Sequence, residues 1–507
     1  MNHSQFKIFA FVILGLCSLN IQAQSNWDEA IDKSLKQTLL THKDFVGYPN
    51  IAANTKDMMV NVGVATEYFK ARGFKVSLLE SDGLPVFFAA YEVDPDATTL
   101  LYYLHLDGQA VNPANWDQPD PFTPVLKEQS PDGSWNILPW EKLEGSIDMD
   151  WRIFGRAAAD DKAPISMLLT AIDILKASGQ QPKHNLKVIL DLQEEAGSEA
   201  FLSTLEQYSD RYAADYMLIL DGPAHNSNQP TLTFGCRGIA RFSLTTYGSE
   251  LPQHSGHYGN VAPNPVFTLS HLLSSMKAPD GRVLIAGYYD GIALSASEEA
   301  ILNAVPDDQN EIVQKLGLSE AEKVATTYQL AMQYPSLNIR HIETSWKGPG
   351  LKTIIPEWAK AHFDVRLVAE TDGAATLEKI KAHIRAQGYY LIERAPTREE
   401  RLTYTKIVSF EGNAGVNAFR TDMESPFGIQ LSEAITASFG KPPVRLRTMG
   451  GTVPIIPAVN ALKIPAIIVP LVNMDNNQHN PNENIRIGNI RDGIKVILSI
   501  LETPFEK

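Results

Sequence analysis

Leu186–Ala200 reads LKVILDLQEEAGSEA. A short apolar run, Leu186–Leu192 (LKVILDL), passes directly into two adjacent carboxylates, Glu194 and Glu195. A run of that length with few polar breaks predicts a strand buried on both faces, as in parallel sheets. Three other stretches have the same build: Thr98–Leu104 (TTLLYYL), Asp215–Leu220 (DYMLIL) and Ile464–Leu471 (IPAIIVPL). Helical patterns lie between them. After Asp161, apolar residues recur at Ile165, Leu168, Leu169, Ile172 and Leu175, one face of a helix. Strands alternating with helices predict an open α/β sheet.

Each of the four runs ends in residues able to hold a metal. His105 and Asp107 follow the first (YLHLDGQ), Glu194 and Glu195 the second, Asp221 the third (LILDGP), and His479 the fourth (NNQHNPNEN). Asp160 precedes the helix, in GRAAADDKAP. Open α/β sheets bind ligands beyond the carboxyl ends of their strands, so these distant positions can converge on one crevice. Imidazole and carboxylate suit zinc, and also manganese or cobalt. Two histidines and three carboxylates are few for two ions unless one carboxylate bridges them, as in hydrolytic sites whose ions lie roughly 3.5–4 Å apart. Taken singly, each residue also has an ordinary reading. Asp160 and Asp161 serve as helix N-caps, Glu194–Glu195 as a solvated pair, Asp221 as a turn residue and His479 as a surface residue. The consistent order after four strands is what favours a site.

The middle of the chain is patterned differently. Strand-like Ile239–Tyr247, helical Pro265–Met276, strand-like Leu337–Thr344 and Ala361–Val368, helical Ala375–Ala386 and strand-like Tyr389–Glu393 give β-α-β-β-α-β, a ferredoxin-like order. A polar helical excursion, about residues 288–330, interrupts it. The predicted division is residues 1–24, 25–237, 238–412 and 413–507.

The 507 residues exceed one hydrophobic core. The formal net charge of −15 argues against nucleic acid or anionic membrane as the main partner. Residues 1–24 have the order of a signal peptide: Lys7, an apolar run Ile8–Leu16, then Ala23 at a cleavage point. That run is too short to span a bilayer, and the expected location is periplasmic or secreted. Lipid anchoring through Cys17 is disfavoured by bulky Leu16 before it. Only two cysteines exist, so cleavage leaves Cys236 alone, with neither a disulfide nor a Cys-based zinc cluster.

These motifs together, YYLHLDGQ, FGRAAADDKAP, DLQEEAGSE, LILDGP, HSGHYGN, RLV and NQHNPNEN, resemble the dinuclear zinc peptidases that include carnosinase, acetylornithine deacetylase and succinyl-diaminopimelate desuccinylase. The likeness is greatest to carnosinase-type dipeptidases and runs from about Asn26 to the C-terminus. It implies a zinc-exopeptidase-like open sheet flanked by helices, with an inserted α+β ferredoxin-like lid domain. Asp160 would bridge two divalent ions. His105 and Asp221 would hold one, Glu195 and His479 the other. Asp107 would fix the tautomer of His105. Glu194 would be the general base, taking a proton from a metal-bridged water that attacks the amide. His254 would stabilise the oxyanion, reaching across from a partner subunit or closing in cis as a hinged lid, with nearby His257 the weaker candidate. Arg366 would bind a substrate carboxylate, and Thr353, Gly451 and Thr452 match further substrate-contacting segments.

The implied activity is hydrolysis of dipeptides or short peptides by a homodimer paired through the lid domain. The alternatives are a deacylase of N-acyl amino acids, or a metal- or peptide-binding protein without catalysis, for which an unliganded Glu194 has no use. The chain departs from the resemblance at Leu251-Pro252-Gln253, at Phe410-Glu411-Gly412-Asn413, at Ala163 and in a long Lys127–Asp150 segment. These bear on substrate preference.

Overall fold

A computed structural model describes residues 27–348, 350 and 352–506. The leader and lipid-anchor readings, on residues 1–24 and Cys17, lie outside them. The chain forms two compact units. The first takes the chain up to Phe234, Thr421–Arg445 and Pro457 onward; the second is Gly235–Arg420 with Leu446–Ile456.

The first unit contains an eight-stranded mixed sheet. Its order is Lys75–Leu79, Val86–Tyr91, Asn185–Asp191, Thr99–His105, Tyr216–Ile219, Ala466–Ile468, Thr231–Thr233, Val444–Leu446. The four expected runs are its centre, and they pair in parallel. Their burial explains the unbroken apolar sequence: Leu100 to Leu104 and Val188 to Leu190 are fully buried. Lys162–Ala177 is the helix expected after Asp161, and it packs against the C-terminal helix Ile487–Leu501. A helix over residues 27–46 is fastened to it. Fully buried Lys162 donates to the carbonyls of Phe45 (2.9 Å) and Tyr48 (2.7 Å), where the negative pole of that helix lies.

The long Lys127–Asp150 segment belongs to a second, four-stranded sheet in this unit. Val125–Gln129 and Trp135–Leu138 form a hairpin through Gly133, which has a positive φ of 86°. Arg152–Phe154 and Asn484–Arg486 complete the sheet. Trp135 packs edge-on against Phe154 at 5.0 Å and stacks under Arg152.

The second unit is a five-stranded sheet in the order Ser336–Thr344, Trp358–Leu367, Gly238–Tyr247, Ile407–Val416, Tyr390–Ile392. Helices Pro265–Met276 and Gly373–Ala386 contact it, and Phe242 stacks on Phe363 at 4.2 Å within its core. The six expected elements are present, but the expectation omitted Ile407–Val416 and cut the chain within it, at Gly412. This strand pairs with Gly238–Tyr247, and Tyr390–Ile392 is displaced to the edge, parallel to it. The unit then continues to Arg420 and takes in Leu446–Ile456, which the expectation had given to the other domain. Cys236 is fully buried in a ribbon of Gly235–Cys236 with Phe419–Arg420. It is the free cysteine of the described residues.

Candidate functional site

Parallel strands carry their carboxyl ends to one side, and the first unit's polar cluster collects there. His105 ends Thr99–His105, Glu194–Ala196 is a tight turn after Asn185–Asp191, and Asp221 follows Tyr216–Ile219. Asp160 lies just before helix Lys162–Ala177, and the Asp160–Asp161 peptide is cis. His479 comes from the loop ahead of Asn484–Arg486.

Two groups of potential ligands result. His105, Asp161 and Asp221 form one; Asp160, Glu195 and His479 form the other, each with its ligand atoms within 4.8 Å of one another. Asp160 reaches both. Its Oδ1 lies 2.8 Å from His105 Nε2 and its Oδ2 lies 3.2 Å from His479 Nε2. His105 Nε2 is 3.9 Å from Asp221, and His479 Nε2 is 3.2 Å from Glu195, which also accepts from Gln109 at 2.8 Å. The five residues expected to hold metal are therefore together.

Two local readings need correction. Asp161 occupies the N-cap position of Lys162–Ala177 but makes no capping bond. Its carboxylate accepts from the His105 backbone at 3.1 Å and stands among the ligands instead. Asp107 meets the far nitrogen of His105 mainly with its carbonyl, at 3.1 Å, against 3.5 Å for its carboxylate. That carboxylate accepts from the backbone N–H groups of Glu194 (3.0 Å) and Glu195 (3.2 Å). It shapes the turn that presents the two glutamates. Glu483, Gln109 and Asp161 were missed as contributors. Glu483 stands in the quoted NQHNPNEN, yet nothing in its type or spacing marks it as a partner of Asp160.

Burial and the neighbouring acids push Glu194 well above the usual carboxylate range, against the opposing charge of His105. Burial likewise raises Asp221, to about 6, with Asp160 and Glu195 adding to it. His479 is lifted to about 10 by its contacts with Asp160 and Glu195. Four carboxylates and two imidazoles, largely buried, concentrate negative charge that divalent cations would neutralise. The donors are nitrogen and oxygen without sulfur, as zinc, manganese and cobalt accept. The residues fit two ions.

Within the second unit, His254 is exposed on a short strand, Gln253–His254, paired with Ile354–Ile355. Its Nδ1 accepts from Gly256 N at 3.0 Å, capping the turn Ser255–Tyr258, and its ring lies 4.7 Å from that of His257. The Thr353 carbonyl accepts from Ser255 at 3.0 Å, so Thr353 is a neighbour of His254. Arg366 Nη1 donates to Thr452 Oγ1 at 2.7 Å, beside Gly450 and Gly451.

The model of peptidase family M20/M25/M40 matches residues 102–503. The chain belongs to this family. It is thus a peptidase, a hydrolase of peptide bonds, with the metal-ligand chemistry just described. Human Beta-Ala-His dipeptidase is 27% identical over 81% of this chain and 76% of its own length. The Cys-Gly metallodipeptidase of Schizosaccharomyces pombe is 26% identical over 81% of both. Among solved structures, an M20 family metallo-carboxypeptidase from Sulfolobus solfataricus superposes with a TM-score of 0.69 and 25% identity, over 92% of this chain and 98% of that one. This M20 peptidase thus has the family's α/β fold. No helix among the described residues is long and apolar enough to cross a membrane.

Proposed function

We propose that this M20 peptidase hydrolyses dipeptides with two bound divalent ions, zinc by preference. One observation carries the reading: the two oxygens of Asp160 face two different histidines, as a bridging carboxylate requires. His105, Asp160 and Asp221 would hold one ion, and Glu195, His479 and the shared Asp160 the other. When bound, the ions supply Lewis acidity to the scissile carbonyl and acidify the attacking water. Glu194 takes the proton from that water and returns it to the leaving amine. Asp107 orients Glu194 through the turn's backbone. His254 serves as oxyanion donor, Arg366 as ligand of the substrate carboxylate, and Thr353, Gly451 and Thr452 as further substrate contacts.

The dipeptide assignment is supported by relatives named for dipeptides, similar over four-fifths of this chain. Glu194→Gln should lower kcat by about 10²–10⁴-fold while metal content, read by elemental analysis, stays near wild type. Wild-type turnover in that variant refutes the base assignment. A panel of dipeptides against N-acetyl amino acids tests the substrate class, and preference for the latter overturns it. We further propose export after cleavage of residues 1–24 and a homodimer paired through the second unit. N-terminal sequencing of the exported protein checks the first. A fully active monomer in sedimentation rules out His254 acting from a partner.

A further inference from the structure

Substrate discrimination in the second unit depends, we infer, on a tether running from the polar excursion through Arg447 to Thr452 and Arg366. The inference rests on the reading of Arg366 as ligand of the substrate carboxylate.

Arg366 is kept available because nearby acids are engaged elsewhere. Asp364 accepts from Asn338 at 3.4 Å and lies 4.0 Å from Arg340. Glu370 pairs with Arg420 at 2.8 Å and Arg447 at 3.4 Å. What positions Arg366 is the Thr452 hydroxyl, which accepts from its Nη1 and donates to the Arg237 carbonyl, both at 2.7 Å. A hydroxyl that spends its one proton on a carbonyl presents its lone pairs in fixed directions. The guanidinium therefore follows the backbone of Leu446–Ile456.

That segment contains Gly450 and Gly451, and residues 447–455 form no helix or strand beyond one bridge, where Met449 donates to the Gly235 carbonyl (2.9 Å) and accepts from Arg237 N (3.2 Å). Its side-chain anchor ahead of that bridge is Arg447. Only 3% exposed, it donates from Nε to Glu298 (2.7 Å), from Nη1 to Gln333 (3.0 Å) and from Nη2 to Glu370 (3.4 Å). Glu298 lies in helix Ala296–Asn303, where its other oxygen completes the capping box with Ser295 at 2.8 Å. Gln333, fully buried, follows helix Tyr328–Ala331 and also accepts from Thr448. One rigid guanidinium fork thus joins both ends of the excursion to the substrate segment. The excursion is a specificity element: it sets where Thr452 stands, and so how Arg366 is aimed. Arg447 is a positioning residue.

The test compares kcat and KM for a dipeptide and for the same dipeptide amidated at its C-terminus. The proteins are wild type, Arg366→Ala, Arg447→Met, Arg447→Lys and Glu298→Gln. A displaced carboxylate ligand removes binding common to ground and transition states, so KM should move and kcat should not. Arg447→Met and Glu298→Gln should each raise KM for the free acid at least about fivefold, with kcat within about twofold and the amide unaffected. Arg447→Lys should fall between, since an ammonium cannot reproduce the fork. An acid-to-amide ratio unchanged in both variants, while Arg366→Ala lowers it, overturns the tether. Equal loss on acid and amide in Arg366→Ala overturns the carboxylate reading itself. Should Arg447→Met not fold, Glu298→Gln decides, because its side chain is partly exposed and keeps its shape.

Discussion

Asp160 can face two histidines only because its own backbone is held. The carboxylate of Glu483, fully buried, accepts from Arg156 Nη1 (2.7 Å) and Ala157 N (3.0 Å) on one oxygen, and from Ala159 N (2.9 Å) and Asp160 N (3.0 Å) on the other. Every lone pair aimed at the loop is used, so the loop has one conformation. Glu483→Gln keeps the volume but turns an NH₂ group toward two N–H donors and leaves Arg156 without its counter-charge. It should cost about 3 kcal/mol and weaken metal affinity by about 10–100-fold, as losing a ligand's support does. Thermal unfolding and competition with a chelator measure the two effects; wild-type values in both remove Glu483 from its supporting role. At this scale the sequence reveals candidate ligands better than their supports. His105, Glu195, Asp221 and His479 were legible because strand ends and residue chemistry coincide. Asp161 and Glu483 were not, because which way a carboxylate turns depends on neighbours brought from distant parts of the chain.

At the scale of elements, legibility followed burial. The four central strands are buried on both faces and announce themselves as apolar runs. Ile407–Val416 does not: Ile407–Phe410 is buried, but Glu411, Gly412 and Asn413 are exposed. Its Gly415, at φ +62°, lies where a Cβ would strike the Ile239 carbonyl, next to a register break opposite Ile239 and Arg241. A polar, glycine-bearing half strand reads as a loop. Two buried histidines tie other elements to the first sheet's surroundings. His42, on the helix of residues 27–46, meets the Ala158 carbonyl (3.0 Å) and Ser166 (2.9 Å). His184, ahead of Asn185–Asp191, meets Tyr102 (2.8 Å) and the Thr503 carbonyl (3.3 Å). Each ring can donate one N–H to a carbonyl and accept from a hydroxyl only when neutral. Burial holds both pKa values down to about 4 from 6.5. The unfolded chain therefore binds these protons first. Their contribution is complete above pH 6.5 and is lost as pH falls toward 4, by at most about 3 kcal/mol each. Melting curves between pH 7.5 and 4.5 should show this loss, and His184→Gln should flatten part of it; an unchanged slope would exclude His184 as a source.

For the molecule as a whole, stability and cation binding are one equilibrium. The first unit gathers Asp160, Asp161, Glu195 and Asp221 beside Glu194 in a small volume, and this repulsion exists only in the folded chain. Cations that bind there stabilise the native state by about 2.7 kcal/mol at a hundredfold excess over Kd. Chelation should therefore lower Tm as well as abolish activity, and readdition of zinc should restore both. A Tm indifferent to chelator, with metal shown to have left, would mean the carboxylates are stabilised by other means. The global charge of −15 argues against nucleic acid or anionic membrane as the main partner, but it carried no information on where the acids meet. That came from strand order alone.

Cys236 offers a way to watch one piece of the second unit breathe. It is fully buried where its strand pairs with Phe419–Arg420, and burial pushes its pKa up to about 12, against weaker pulls from nearby backbone groups. The thiolate that alkylating reagents require is thus scarce in the closed ribbon. Labelling under native conditions should proceed at the frequency with which Gly235–Cys236 parts from Phe419–Arg420, and should saturate at that frequency as reagent is increased. A rate that climbs without limit with reagent would mean the sulfur is reached without any parting.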